Sequence, residues 1–262
     1  MSDRAPHTLA VAYPSAVPRR MTGMVELDLA EAAHSRLPRP SKVSAVLEAM
    51  FAEVGGVAMR AGLTDVLATG ARAWLLLRTA RVFFGNQGWF TAPCGVCQQP
   101  FDLSVDLASV PKSAPGAAFP VITVKTSLGP RRFEVPNGRT EAALAQQADL
   151  RVLAAVTGLA PDAGSEADQF TSEDLIAIET ALDDATPDVA EEITSSCPAC
   201  GGDLALRLDP LDFAFPKPER IDRDVYLLAR TYGWDEPTIL AMPTSRRRRH
   251  AQMIASTGGP KR

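Results

Sequence analysis

The sequence predicts an α+β protein: a pseudo-symmetric four-cysteine zinc ribbon, interrupted by a long helical insertion and followed by a C-terminal helical segment. Three observations predict it. The four cysteines fall in two matching knuckles, Cys94-Gly-Val-Cys97 and Cys197-Pro-Ala-Cys200, about a hundred residues apart. Each knuckle is followed by the same pattern, pairing Phe101 with Leu204, Leu103 with Leu206, Val105 with Leu208 and Asp106 with Asp209. That alternation reads as a strand with one buried face. The runs between and after the knuckles carry helical periodicity instead.

Two Cys-x-x-Cys turns can offer four thiolates, and four thiolates at tetrahedral geometry suit a structural zinc ion, with Zn–S near ~2.3 Å. The i, i+3 spacing lets one tight turn present both sulfurs. Gly95, Gly201 and Gly202 suit such a turn because glycine accepts positive φ. The expectation is therefore a ribbon holding Zn2+ through Cys94, Cys97, Cys197 and Cys200, with everything between the knuckles inserted. Ordinary ribbons separate their knuckles by roughly 15–20 residues, so this insertion is unusually long. Disulfides, redox chemistry and unrelated thiols are the competing readings. A thioredoxin-like motif would precede a helix, whereas both knuckles here precede strands. With four sulfur ligands no position is left for water, so the ion is structural.

The chain has 262 residues, 46% of them apolar, which is enough for a substantial core. Its formal charge of −4 argues against a dedicated nucleic-acid binder. The charge is uneven, acidic from Glu166 to Glu192 and basic from Arg246 to Arg249 and at Lys261-Arg262. No secretory leader is expected, because prolines and charges replace an apolar core at the N-terminus. The most apolar stretch, Ala71 to Phe84, carries Arg72, Arg78 and Arg81 and is too short to cross a bilayer, so no membrane partner is expected. Zinc thiolates persist in reducing compartments, which points to the cytoplasm.

In chain order, residues 1–40 are rich in proline and read as a flexible arm, either a docking arm for a partner or a disordered leader. Within it, residues 24–30 alternate and suggest an edge strand. Residues 41–93 form an N-terminal helical segment. A helix capped by Ser41 runs to Val54, ended by Gly55-Gly56, with Val43, Val46, Leu47, Met50 and Phe51 on one face. A second helix spans Leu63 to Phe84, with a break at Gly70, burying Trp74, Leu77, Val82 and Phe83. Trp89 is expected in the core.

The ribbon and its insertion cover 94–215. Strands are expected at 121–125 and 131–135, and Asn137-Gly138 is a turn. Helices follow: one capped by Thr140 to Leu150, then 150–159 and 171–183, with 158–169 a loop. Leu175, Ile176, Ile178 and Leu182 form the buried side of the acidic helix. Residues 216–262 form the C-terminal helical segment. One helix starts at Pro218, buries Ile221, Val225, Leu228 and Ala229, and ends at Gly233. A short one is capped by Asp235, and the last begins at Pro243-Thr244.

No catalytic constellation emerges. The three histidines lie in the leader and the basic tail, and the usual hydrolase, metalloprotease and phosphate-loop motifs are missing. Four successive arginines, Arg246, Arg247, Arg248 and Arg249, point nearly all round a helix, since each residue advances about 100°. Some must therefore meet the protein or a partner. Contact with an acidic partner surface is the preferred reading, and a phosphate-binding patch the alternative.

The C-terminal residues resemble a known signature: a helix ending in Leu228-Ala229, then Tyr232, Trp234 and Glu236, then Ile239-Leu240, Pro243 and Arg246-Arg247. The leucine-rich helix before the first knuckle fits too, as do Phe101-Asp-Leu-Ser-Val-Asp106, Phe133-Glu-Val-Pro-Asn-Gly138 and the second knuckle. Together these resemble the T4-type baseplate hub assembly chaperone family of contractile phage tails and related injection systems, over residues 70 to 254. The first knuckle departs from the family's Cys-Pro-x-Cys-Gly pattern but keeps both sulfurs. The resemblance implies a non-enzymatic assembly factor or structural subunit, with baseplate and hub proteins as partners. It implies Tyr232 and Trp234 as core anchors, and Arg246 and Arg247 as contacts to an acidic partner. A zinc-ribbon protein associated with nucleic acid is the alternative, and a zinc enzyme a weaker third.

Overall fold

A computed structural model describes residues 15–110, 118–144, 149–186, 189 and 192–256. It shows mixed helix and small antiparallel sheets, an α+β chain. The first fourteen residues of the expected arm lie outside the described residues. The rest of that arm is folded.

Ala16–Pro18 (β1) opens a three-stranded sheet with Phe51–Val54 (β2) and Val57–Ala58 (β3), in the order β1-β2-β3. Gly23–His34 (α1) is a helix, not the edge strand expected at 24–30, and is capped by the Thr22 hydroxyl, which accepts from the Val25 N–H at 3.3 Å. Its buried residues, Gly23, Glu26, Leu29, Ala30 and Ala33, follow helical spacing. The alternation of Val25, Leu27 and Leu29 with Glu26 and Asp28 misleads because one of those charges, Glu26, is wholly buried.

Arg39–Met50 (α2) ends earlier than Val54 and starts after Pro38 rather than Ser41. The chain passes straight into β2, and Gly55-Gly56, at φ of 62° and 78°, makes the β2–β3 hairpin turn instead of ending a helix. Val43, Val46, Leu47, Met50 and Phe51 are all buried, as their spacing predicts. Thr69–Phe84 (α3) follows a short 3-10 turn at Thr64–Val66. The break falls at Leu67-Ala68, because the Ala68 and Thr69 N–H groups are spent on Ala118 and Pro136 carbonyls. Trp74 and Leu77 are buried, whereas Val82 is half-exposed.

Gln87–Pro93 (β4) and Pro100–Asp106 (β5) form one hairpin. Val121–Thr126 (β6) and Gly129–Glu134 (β7) form a second, and Glu192–Ser196 (β8) and Asp203–Arg207 (β9) a third. Gly138–Leu144 (α4), Leu150–Thr157 (α5), the short Ala163–Ala167 (α6, inside the expected loop) and Ser172–Ala185 (α7) complete the insertion. Asn137, rather than Thr140, caps α4: its side-chain oxygen accepts from the Arg139 and Thr140 N–H groups at 3.0 and 3.2 Å. Thr171 caps α7 in a reciprocal box with Asp174. The insertion has its own core of Val124, Phe133, Val135, Phe170, Leu175, Ile178 and Leu182, which Trp74 of α3 joins. Ile176, expected inside, is half-exposed because it falls one residue round the helix from Leu175.

After Pro210–Phe213 (α8) come Pro218–Tyr232 (α9), Glu236–Ala241 (α10) and Thr244–Ser256 (α11), which close on α1. Leu240 and Ile221 pack with Ala30, and Ile239, Leu228 and Ile254 pack together. Gly233 ends α9 in the left-handed region and the Asp235 carboxylate caps α10, both as predicted. Gly23 permits the close approach: a Cβ there would lie 2.8 Å from Arg247 Nη1 and 3.0 Å from the Leu240 backbone. Residues expected in a loose arm thus form one wall of the C-terminal unit.

Candidate metal centre

Each knuckle is the six-residue turn of a hairpin, closed between Pro93 and Pro100 in one and Ser196 and Asp203 in the other. The two turns share one backbone design. Cys94 N–H donates to the Gln99 carbonyl at 2.9 Å, and Cys197 N–H to the Gly202 carbonyl at 3.0 Å. Gln98 N–H returns to the Cys94 carbonyl at 2.9 Å, and Gly201 N–H to the Cys197 carbonyl at 2.8 Å. Inside each turn a backbone N–H donates to the first sulfur, from Val96 to Cys94 Sγ at 3.3 Å and from Ala199 to Cys197 Sγ at 3.4 Å. The equivalence continues past the strands: Asp106 accepts from the Ala108 N–H and Asp209 from the Leu211 N–H, at 2.9 and 3.1 Å.

The turn needs a positive φ after the second cysteine. Gly201 supplies it at 71°, and Gln98 holds the equivalent place at 61°, the one positive-φ non-glycine among the described residues. Gly95 and Gly202, expected to serve this purpose, do not. Gly202 provides room instead, since a Cβ there would press on Val96 Cγ2 of the other knuckle at 3.3 Å.

The two hairpins form separate two-stranded sheets and meet through their turns. Phe101 and Leu204, matched by the sequence pattern, are both buried beneath the sulfurs. Cys94 and Cys197 are buried, Cys97 is half-buried and Cys200 is exposed. All four sulfurs lie within 4.8 Å of one another. Cys94 Sγ is 3.8 Å from Cys200 Sγ, and Cys97 Sγ is 3.8 Å from Cys197 Sγ. A disulfide requires about 2.05 Å, so these are free thiols. Sulfurs placed tetrahedrally at about 2.3 Å from a central ion would be separated by about 3.8 Å. The cluster can therefore hold a metal ion.

The N–H of Cys97, helped by that of Val96, holds the Cys94 thiol down to about 6 despite its burial. For Cys97 the Gln99 N–H pulls the same way, but loss of solvent and the three neighbouring sulfurs outweigh it and push the thiol up to about 11. Four crowded sulfurs cannot all ionise without a cation among them, and a bound ion would reverse that balance.

No family model matches the chain, and neither a curated protein nor a solved structure matches it.

The four arginines do not act together. Arg247 is fully buried. Its Nη2 donates to Glu26 Oε2 at 2.8 Å and its Nε to Asp224 Oδ2 at 3.4 Å. Arg248 also pairs with Glu26. Burial pushes the Asp224 carboxyl above its ordinary value, against the pull of Arg247. The acidic surface expected of a partner is thus, for Arg247, the chain's own α1. Arg246 and Arg249 are both exposed. Glu26 escapes sequence reasoning because its partners lie more than two hundred residues away.

Tyr232 stacks on Trp234 with ring centroids 4.7 Å apart, and His250 meets both rings edge-on. Trp234 packs against the Leu228–Ile239–Ile254 cluster, while Tyr232 stays 43% exposed and is no core anchor. Trp89, expected in the core, is 70% exposed on β4. Among the described residues no helix is long and apolar enough to cross a membrane.

Proposed function

We propose that the protein is a non-enzymatic assembly factor or structural subunit of the baseplate or hub of a contractile, phage-tail-like injection system. The observation that carries this reading is what the resembling C-terminal residues do together. Leu228 and Ile239 are buried in one cluster, Trp234 packs on it, Pro243 bridges to Thr22, and Arg247 reaches Glu26. Residues scattered through a sequence signature thereby form one closed structural unit, as expected if the signature specifies a shared architecture. The bound ion is zinc, because an all-sulfur tetrahedral donor set favours it and leaves no open position for water. The two hairpins then form a zinc ribbon whose role is to staple the insertion. Arg246 and Arg249 face a baseplate or hub partner, in the cytoplasm where such particles assemble or in the finished particle.

Mass spectrometry of purified particles from the native host, against lysate, tests this. A fixed ratio to baseplate proteins identifies a subunit. Enrichment in lysate with absence from particles identifies a departing factor. Recovery with nucleic acid and no tail protein in either fraction overturns the proposal in favour of a nucleic-acid-associated ribbon. Two of the four arginines are already committed to Glu26, which leaves that alternative a smaller charged patch.

A further inference from the structure

We propose that the four-sulfur cluster is also an oxidative modification site, at which a two-electron oxidant such as hydrogen peroxide attacks Cys200 and joins it to Cys94. The inference rests on the metal-centre reading and extends it. Cys200 is the exposed residue of the four, and Cys94 is fully buried. An oxidant arriving from solvent therefore meets Cys200 first. The sulfur 3.8 Å from it belongs to the other knuckle, and the second 3.8 Å contact, Cys97 with Cys197, crosses between knuckles as well.

The chemistry balances in two steps. The Cys200 thiolate attacks one peroxide oxygen, the O–O bond breaks, and the departing hydroxide takes a proton to give water. Sulfur is oxidised to sulfenic acid and the peroxide is reduced. The Cys94 thiolate then attacks the sulfenic sulfur, the S–S bond forms, the S–O bond breaks, and a second hydroxide leaves and is protonated. A second equivalent of peroxide joins Cys97 to Cys197 in the same way. Losing two of four donors releases the ion.

The direction of pairing follows from the turns. To form a disulfide the sulfurs must close from 3.8 Å to about 2.05 Å. Across the knuckles, two separate hairpins can move together as bodies. Within a knuckle, the same approach would distort a turn held by the Cys94–Gln99 and Cys94–Gln98 backbone bonds and by two N–H groups on Cys94 Sγ. Oxidation therefore replaces the ion with a covalent tie between residues 106 positions apart. The halves stay joined.

The test uses the full chain loaded with zinc, its metal content and sulfur coordination established first. One equivalent of hydrogen peroxide is added, free thiols are blocked by alkylation, and disulfides are mapped by peptide mass spectrometry, with released zinc read by a chromogenic chelator. The expected product is Cys94–Cys200, formed together with zinc release and reversed by dithiothreitol. Predominance of Cys94–Cys97 or Cys197–Cys200, or a cluster inert to a tenfold excess, overturns the proposal. The same mapping on metal-free protein keeps the pairing testable should the chain not retain zinc. In Cys200→Ser, the initial rate of sulfenic acid capture by dimedone should fall at least tenfold. An unchanged rate overturns Cys200 as the point of attack.

Discussion

The Glu26 carboxylate lies 2.8 Å from the Arg247 guanidinium, with both side chains 1% exposed and a sequence separation of 221 residues. A buried pair of this kind contributes little net stability as a pair, but removing one partner strands a charge and costs about 3–5 kcal/mol. Glu26→Ala leaves Arg248 without this carboxylate and the buried Arg247 with Asp224 alone at 3.4 Å, so we expect a loss toward the lower end of that range by urea denaturation. Limited proteolysis should then cut first within 216–256. The double variant Glu26→Met with Arg247→Met should recover much of the loss, and a double-mutant cycle measures the coupling.

The proposed zinc site predicts that Cys94→Ser and Cys197→Ser each abolish stoichiometric zinc by elemental analysis. Binding to the folded state alone stabilises by about 4 kcal/mol when free metal is about 1,000 times its Kd, so a strong chelator should lower the thermal midpoint of wild type and leave the variants unmoved. The insertion has a core of its own around Phe133 and Ile178. With Trp89 and Trp234 replaced by Phe, the Trp74 fluorescence reporting on that core should therefore persist in the variants to a higher denaturant concentration than signals of the two cysteine hairpins do.

Gln98 sits where its counterpart is Gly201, with φ of 61° and 71°. Left-handed backbone costs a non-glycine residue about 1–2 kcal/mol, partly offset by the greater freedom glycine loses on folding. We expect Gln98→Gly to stabilise by about 0.5–1 kcal/mol and Gly201→Ala to destabilise by about 1 kcal/mol, both by equilibrium denaturation of the metal-bound form.

Asp174 accepts from the Ser127 hydroxyl and N–H at 2.5 and 2.8 Å and from the Thr171 N–H at 3.0 Å. These bonds, Ser127 foremost, hold its carboxyl at about 2, below the ordinary 3.8. A depressed carboxyl contributes stability that is fully present above its unfolded value and disappears as pH falls through its folded value. Wild type should therefore lose stability relative to Asp174→Asn between about pH 4 and pH 2. Parallel stability curves across that window would contradict the assignment.

The two cysteine hairpins are legible in the sequence because a local turn repeated at a constant register needs no knowledge of the rest of the chain. Cys94 and Cys197, Phe101 and Leu204, and Asp106 and Asp209 perform matching roles. The boundary between α9 and α10 is legible for the same reason, since Gly233 and Asp235 act on their immediate neighbours. Helix α1 is not. Its buried face contains a glycine and a glutamate, which make sense only against Leu240, Arg247 and Arg248. Helical spacing shows that some of the four arginines must face something, but not that the partner of Arg247 is Glu26. Trp89 misleads in the opposite sense, because aromatic character says nothing of which strand face meets solvent.

The pairing of α1 with α11 also sets a schedule for synthesis. Glu26 emerges from the ribosome 221 residues before Arg247. At about 5–20 residues per second, it waits roughly 10–45 s for the arginine that neutralises it. During that interval α1 presents Leu27 and Ala30 without the α9 and α10 side chains that cover them. The nascent chain therefore exposes an apolar stripe that the finished fold covers.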